Sequence, residues 1–318
     1  MTERKSDFLY RYILLSLAVF LIAFSFSHLR EMLLLVNSGI RVSVLSVIPS
    51  LFPFMIFSDM LLYSDIFEKL PKKANKLFEK AFKIRQDGLG AFLTGIICGF
   101  PLGVKYACDL YKSKRINKDE LERLICFCNN TGPAFLLAGI GISMRGSLCD
   151  GIVLYFVQIV SALLCGMIIS HGKECSKSET CKELSTKGSF NLTESIKKSS
   201  LNMLYVCAFV VFFSVVCGYF KILVPNTLLS AIFSSFFEIG NAAIACNVLE
   251  NRILSLVITA GAVSFSGMSV HLQAEIYYGE YEIDRKRYYF AKLFQSALSM
   301  LLTCLISLLT YFVFTDKI

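Results

Sequence analysis

The chain has 318 residues, of which 55% are hydrophobic and only 18% charged, and its mean hydropathy of +0.61 leaves more apolar surface than a water-soluble globule of this size can hide. A soluble enzyme is excluded on that balance. The net charge of +8 does not mark a nucleic-acid partner either, because the basic residues gather in a few connections between apolar windows, where they orient a chain in a bilayer.

In chain order, the first apolar window, residues 9–26, has no small-residue cleavage site after it and predicts a retained membrane helix. Residues 44–62 predict the return crossing. Basic residues then fix which windows can cross. Arg4, Lys5 and Arg11, seven residues in 63–87, six in 105–123, six in 171–198 and four in 278–292 mark the retained, cytoplasmic side. Arg30, Arg41, Arg145, Lys221, Arg252 and Lys317 stand singly in short connections, which read as external. The N-terminus is therefore expected in the cytoplasm.

Window 89–111 begins and ends beside basic loops, so it should enter and leave from one side. Ten residues precede Gly99-Phe100-Pro101-Leu102-Gly103 and eight follow before the next basic run; arms of about 12–15 Å, at 1.5 Å per residue, reach only the midplane. A re-entrant hairpin over 88–112 with a Gly-Pro tip is expected, a form tolerated only where protein or water surrounds it. Window 228–249 repeats the spacing around Glu238-Ile239-Gly240-Asn241 with sparsely charged flanks, which predicts a second hairpin, 227–250, entering from the opposite face. Each is followed by a crossing interrupted by small and polar residues, Asn129-Asn130-Thr131-Gly132-Pro133 and Ser264-Phe265-Ser266-Gly267-Met268-Ser269.

The expected fold is thus an all-α polytopic membrane protein in two inverted repeats, 1–146 and 147–318. Each repeat reads helix, helix, re-entrant hairpin, broken helix, with a polar cytoplasmic linker at 171–198 and a closing helix at 289–314. The total is about seven crossings and two hairpins. Paired interrupted helices in inverted halves point to a transporter with a site near the midplane, a pattern that channels can share.

Gly99, Pro101 and Gly103 permit the first turn, and Asn129, Asn130 and Thr131 offer amides and a hydroxyl that hydrogen-bond a solute in both directions. Close helix packing is the alternative for the glycines. Glu238 stands mid-window with no charge within ten residues, the position of a proton carrier, a cation ligand or a substrate acceptor; a protonated, hydrogen-bonded core acid is the alternative. Asn241, Ser264, Ser266, Ser269, His271 and Gln273 complete the set, with a satisfied core histidine as the alternative for His271. Ser264-Phe265-Ser266-Gly267 is near the Gly-x-Ser-Gly of rhomboid proteases, but His271 lies five residues along the same helix from Ser266, about 140° away, so no catalytic residue is expected. His28, His171 and His271 are too dispersed for zinc, and the twelve cysteines form no framework, so neither metal nor cofactor is expected.

Four segments resemble the YlbJ-type sporulation integral membrane proteins, part of the wider group carrying nucleoside-recognition (Gate) domains. They are Val47-Ile48-Pro49-Ser50-Leu51-Phe52-Pro53-Phe54, Gly99-Phe100-Pro101-Leu102-Gly103-Val104-Lys105, Asn129-Asn130-Thr131-Gly132-Pro133, and Ser264-Phe265-Ser266-Gly267-Met268-Ser269-Val270-His271-Leu272-Gln273. The likeness runs over about residues 36–314. Ser266 stands where that family usually has a glycine, a departure that should stiffen the break. The resemblance implies an inner-membrane protein of endospore-forming bacteria, needed for spore development; nucleoside as substrate is an analogy to concentrative nucleoside carriers only. The expectation is a transporter of an unidentified small polar solute, coupled to H+ or Na+. Its partners are the lipid bilayer and that solute, without nucleic acid, and a homo-oligomer or assembly with other sporulation membrane proteins stays open. The alternative is a non-transporting scaffold.

Overall fold

The computed structural model describes residues 2–63, 70–85, 87–175 and 190–315; residues 176–189 of the expected polar linker lie outside them. Every element among the described residues is helical. The order is α1 (Thr2–Ser27), α2 (Leu29–Val42), a π-helical turn (Ser43–Val47), α3 (Ile48–Tyr63), α4 (Lys72–Phe82), α5 (Gly88–Ile97), α6 (Leu102–Lys112), α7 (Lys118–Cys128), a π-helix (Phe135–Met144) and α8 (Leu148–Ser170). After these come α9 (Leu192–Leu223), α10 (Thr227–Phe237), α11 (Ile239–Asn247), α12 (Arg252–Phe265), α13 (Gly267–Tyr278) and α14 (Arg285–Thr315). Among the described residues, five stretches are long and apolar enough to cross a bilayer: Leu29–Phe57, Leu148–Ser170, Leu192–Leu223, Arg252–Tyr278 and Arg285–Leu309. Their exposed leucines, isoleucines and phenylalanines are what hydrocarbon requires. The protein is a multi-pass, all-helical membrane protein in contact with lipid.

Three boundaries differ from expectation. Helix α2 with its π-turn and α3 is one path beginning at Leu29, so Arg30 and Arg41 sit exposed on a helix rather than in a connection. No Gly-Pro cluster interrupts residues 29–43, and the helix lies on α9, with Gly39 backed onto Val211 and Leu35 filling the space over Gly218. The second hairpin is broken at Glu238 alone, since α11 already starts at Ile239. Lys292, counted with a basic loop, is a fully buried residue of α14.

Helices α5 and α6 fold back on each other across residues 98–101, where Gly99 takes φ +83° and the Phe100–Pro101 bond is cis. The approach is backbone on backbone: a β-carbon at either Gly95 or Gly103 would overlap the carbonyl oxygen of Cys128 at the end of α7. One at Gly99 would lie 2.7 Å from the Gly132 nitrogen. Helices α10 and α11 likewise fold back, bringing Ala231 and Cys246 into one buried cluster. The break between them meets the next interruption, since a β-carbon on Gly267 (φ +68°) would sit 3.0 Å from the Phe237 carbonyl oxygen. In both halves, then, the turn of a folded-back pair rests on the break of the helix that follows.

Two apolar cores flank these breaks. One gathers Phe78 and Phe82 of the amphipathic α4 with Phe92, Phe127 and Tyr288. The other joins Val47, Leu51, Phe100 and Phe135 to Val206, Val210, Ile239 and Val270. Charges collect at the ends. Near the start of α7, Asn117 and Glu120 cap the helix reciprocally at 2.8 Å each way, and Arg85, Arg123 and Arg287 pair with Glu120 and Asp119. At the far end of the following π-helix, Arg145 and Arg252 share Asp150 at 3.0 and 3.4 Å.

Gly95→Ala should destabilise the fold by at least about 1–3 kcal/mol, because the methyl group meets a backbone carbonyl that cannot swing aside. Leu204→Ala, on a 65% exposed side chain, should cost much less. Thermal unfolding of the two purified variants checks the order.

Candidate functional site

The first break, residues 129–132, leaves the last carbonyls of α7 and the groups of Thr131 without helical partners. Two neighbouring helices supply them. From α14, the Lys292 ammonium donates to the Asn129 carbonyl oxygen at 2.9 Å and to Gln295 Oε1 at 2.7 Å, and Gln295 Nε2 donates to Asn130 Oδ1 at 3.0 Å. From α8, the Gln158 amide accepts from Thr131 N at 3.1 Å and donates to the Thr131 carbonyl at 2.9 Å, standing in for a missing backbone strand. Asn129 Nδ2 donates to the Tyr288 hydroxyl at 2.9 Å, and that hydroxyl also contacts His271 Nδ1 at 2.9 Å. All of these side chains are buried.

The second break is organised by a carboxyl group. Glu238 caps α11 with both oxygens, accepting from Gly240 N at 2.9 Å and Asn241 N at 2.6 Å. Asn241 Nδ2 bridges Glu238 Oε2 at 2.9 Å and Ser214 Oγ of α9 at 3.0 Å. A carboxyl at a half-helix N-terminus meets both the free N–H groups and the positive end of the dipole.

Phe100 of the first turn and Glu238 of the second line one small void together with Ser269, Gln273, Val206 and Val210, with room for about a single water. Gln273 Oε1 is buried without a partner, as are Asn129 Oδ1, Thr131 Oγ1 and Ser264 Oγ. The expected residues therefore fall into two groups on either side of α13. Successive residues turn by about 100°, so Ser269 and Gln273 share a face while His271 points away from it. Glu238, Asn241, Ser269 and Gln273 gather at the second break, and Asn129, Asn130, Thr131 and His271 at the first. Gly99, Pro101 and Gly103 shape the turn, the two glycines by close packing. Ser266 holds the α12–α13 break at φ +78°, the left-handed conformation that suits the glycine of the resembled family.

Lys292, Gln295, Gln158 and Tyr288 were not anticipated. The sequence did carry a signal for two of them: Gln158 is the one amide in window 151–169, and Lys292 falls inside the closing apolar window 289–314.

Compared with known proteins, the chain is 23% identical over 322 residues, covering 88% of this chain and 78% of the other, to the sporulation integral membrane protein YlbJ of Bacillus subtilis (strain 168). No family model and no solved structure matches it. The likeness to an integral membrane protein agrees with the multi-pass architecture and supports the YlbJ-like resemblance carried by the motifs.

Gln158→Met keeps the side-chain volume but removes both bonds to Thr131. A loss on the order of 2 kcal/mol is expected for two buried backbone groups left unpaired, read as a lower unfolding midpoint than that of the unmodified chain.

Proposed function

We propose that the protein is a membrane transporter of a small polar solute, acting in endospore formation in the bacterial inner membrane, with no resident cofactor and no catalytic residue of its own. The observation that carries the reading is the shared void: Phe100 from one interrupted pair and Glu238 from the other face the same space, beside the partnerless Gln273 oxygen. Polar groups meeting at helix breaks are how transporters build a midplane site. The sporulation role rests on the name of the relative, and the Gate architecture rests on the motif resemblance alone.

In this reading the chain is an inverted repeat, 1–146 and 147–318, with α5–α6 and α10–α11 as re-entrant hairpins and the N-terminus in the cytoplasm. H+ or Na+ drives the cycle. Orientation is tested with thiols. Cys149 is exposed, and in a chain keeping only that cysteine it should react with a membrane-impermeant maleimide from outside the cell. Lys173→Cys in a cysteine-free chain should react only after permeabilisation. Labelling of both from one side overturns the inverted arrangement.

A second reading, a scaffold that assembles with other sporulation membrane proteins, is favoured by the narrowness of the void and by Glu238 already serving as a cap. Thermal-shift screening against nucleosides, amino acids and dipicolinate separates the two. A saturable upward shift that Glu238→Gln abolishes supports transport; no shift from any solute in either chain supports the scaffold.

A further inference from the structure

Lys292 lies fully buried against neutral oxygens, the Asn129 carbonyl and the Gln295 amide. Among the described residues no carboxylate stands within ion-pair distance of it. A buried ammonium without a carboxylate is costly unless fixed dipoles replace its water. Here they do: the Asn129 carbonyl lies at the C-cap of α7, where the half-helix dipole is negative, while the Phe127 carbonyl one turn in accepts from Asn130 Nδ2 at 2.7 Å. Carbonyl and amide oxygens at the unwound end of a half-helix are the donor set that holds a monovalent metal cation in transporters.

Resting on the transport reading above, we propose that the Lys292 ammonium is a tethered cation that fills a sodium-type site at the end of α7, so that this position takes no exchangeable Na+. The titratable groups facing it are thiols, Cys126, Cys128 and Cys165, with His271 beyond the Tyr288 hydroxyl; none of them supplies a counter-charge while neutral. The break also holds oxygens to spare. Asn129 Oδ1 and Thr131 Oγ1, both on the break itself, are buried and partnerless, and a chain stripped of the ammonium leaves the Asn129 carbonyl and Gln295 Oε1 without their donor.

The test compares unfolding midpoints of the purified full chain in NaCl and in N-methylglucamine chloride of equal strength. Any sodium response of the unmodified chain or of Lys292→Arg, as from a coupling-ion site elsewhere, should be smaller by several degrees than that of Lys292→Ala. Lys292→Ala should unfold earlier than the unmodified chain in N-methylglucamine and recover several degrees on saturable addition of Na+, and adding Gln295→Ala should remove the recovery. A Lys292→Ala midpoint equal in both salts overturns the proposal, as does a sodium response of the same size in the unmodified chain. If Lys292→Ala does not fold in N-methylglucamine, rescue by NaCl supports the proposal. Failure of Lys292→Ala and Lys292→Gln in both salts overturns it, because a site built for a cation would be refilled. This readout is independent of the solute screen, so a scaffold outcome there and a tethered-cation failure here are distinguishable.

Discussion

A helix interrupted inside hydrocarbon exposes N–H and C=O groups that neither the helix nor water can take up, at several kcal/mol each. A group of the buried polar residues is arranged around such interruptions, and the solutions at the two breaks are opposite in kind. Where α7 ends, the carbonyl of its C-cap, Asn129, faces an ammonium, Lys292, and the amide of Gln158 completes Thr131. Where α11 begins, its N–H groups face a carboxyl, Glu238. Each side chain stands at the dipole end that would favour its charged form. The uninterrupted helices α8, α9 and α14 are what make the interrupted ones tolerable, because they carry Gln158, Ser214, Lys292 and Gln295 to the gaps.

This arrangement makes structure and function hard to separate by deletion alone. Removing Glu238 strips a cap from α11 as well as a wall from the void, and removing Lys292 orphans a carbonyl as well as a charge. Variants of similar size, such as Glu238→Gln and Lys292→Arg, narrow the change, although the Gln amide nitrogen cannot accept a backbone bond as the second Glu238 oxygen does.

Much of the architecture was legible in the sequence, because it is written in local signals. The apolar windows, the Gly-Pro tip and the Asn129–Pro133 interruption each declare themselves within a few residues, and helix ends fall beside them at Ile97, Leu102 and Cys128. The partners of the breaks were not legible, since their link to the gap spans long stretches of chain: Gln295 meets Asn130 across 165 positions. Lys292 was hidden for a different reason. A lysine four residues into an apolar window is also what a snorkelling residue at a membrane edge looks like, and only the packing of α14 on α7 tells the two apart. His271 and Gln273 are two residues apart, and helical phase turns them to opposite faces of α13, a division that proximity in sequence hides.

The three backbones that meet at Gly95, Gly103 and Cys128 touch without side chains between them. Sliding one past another would drive α-carbons into a carbonyl, so α5, α6 and α7 behave as a single stiff block. A second seam is of another kind: Val47, Leu51, Val206 and Val210 meet Phe100 and Ile239 through apolar side chains, the sort of contact along which packed elements shear. The molecule is thus divided into a welded joint and a greased one, and the void between the two turns lies on the greased side.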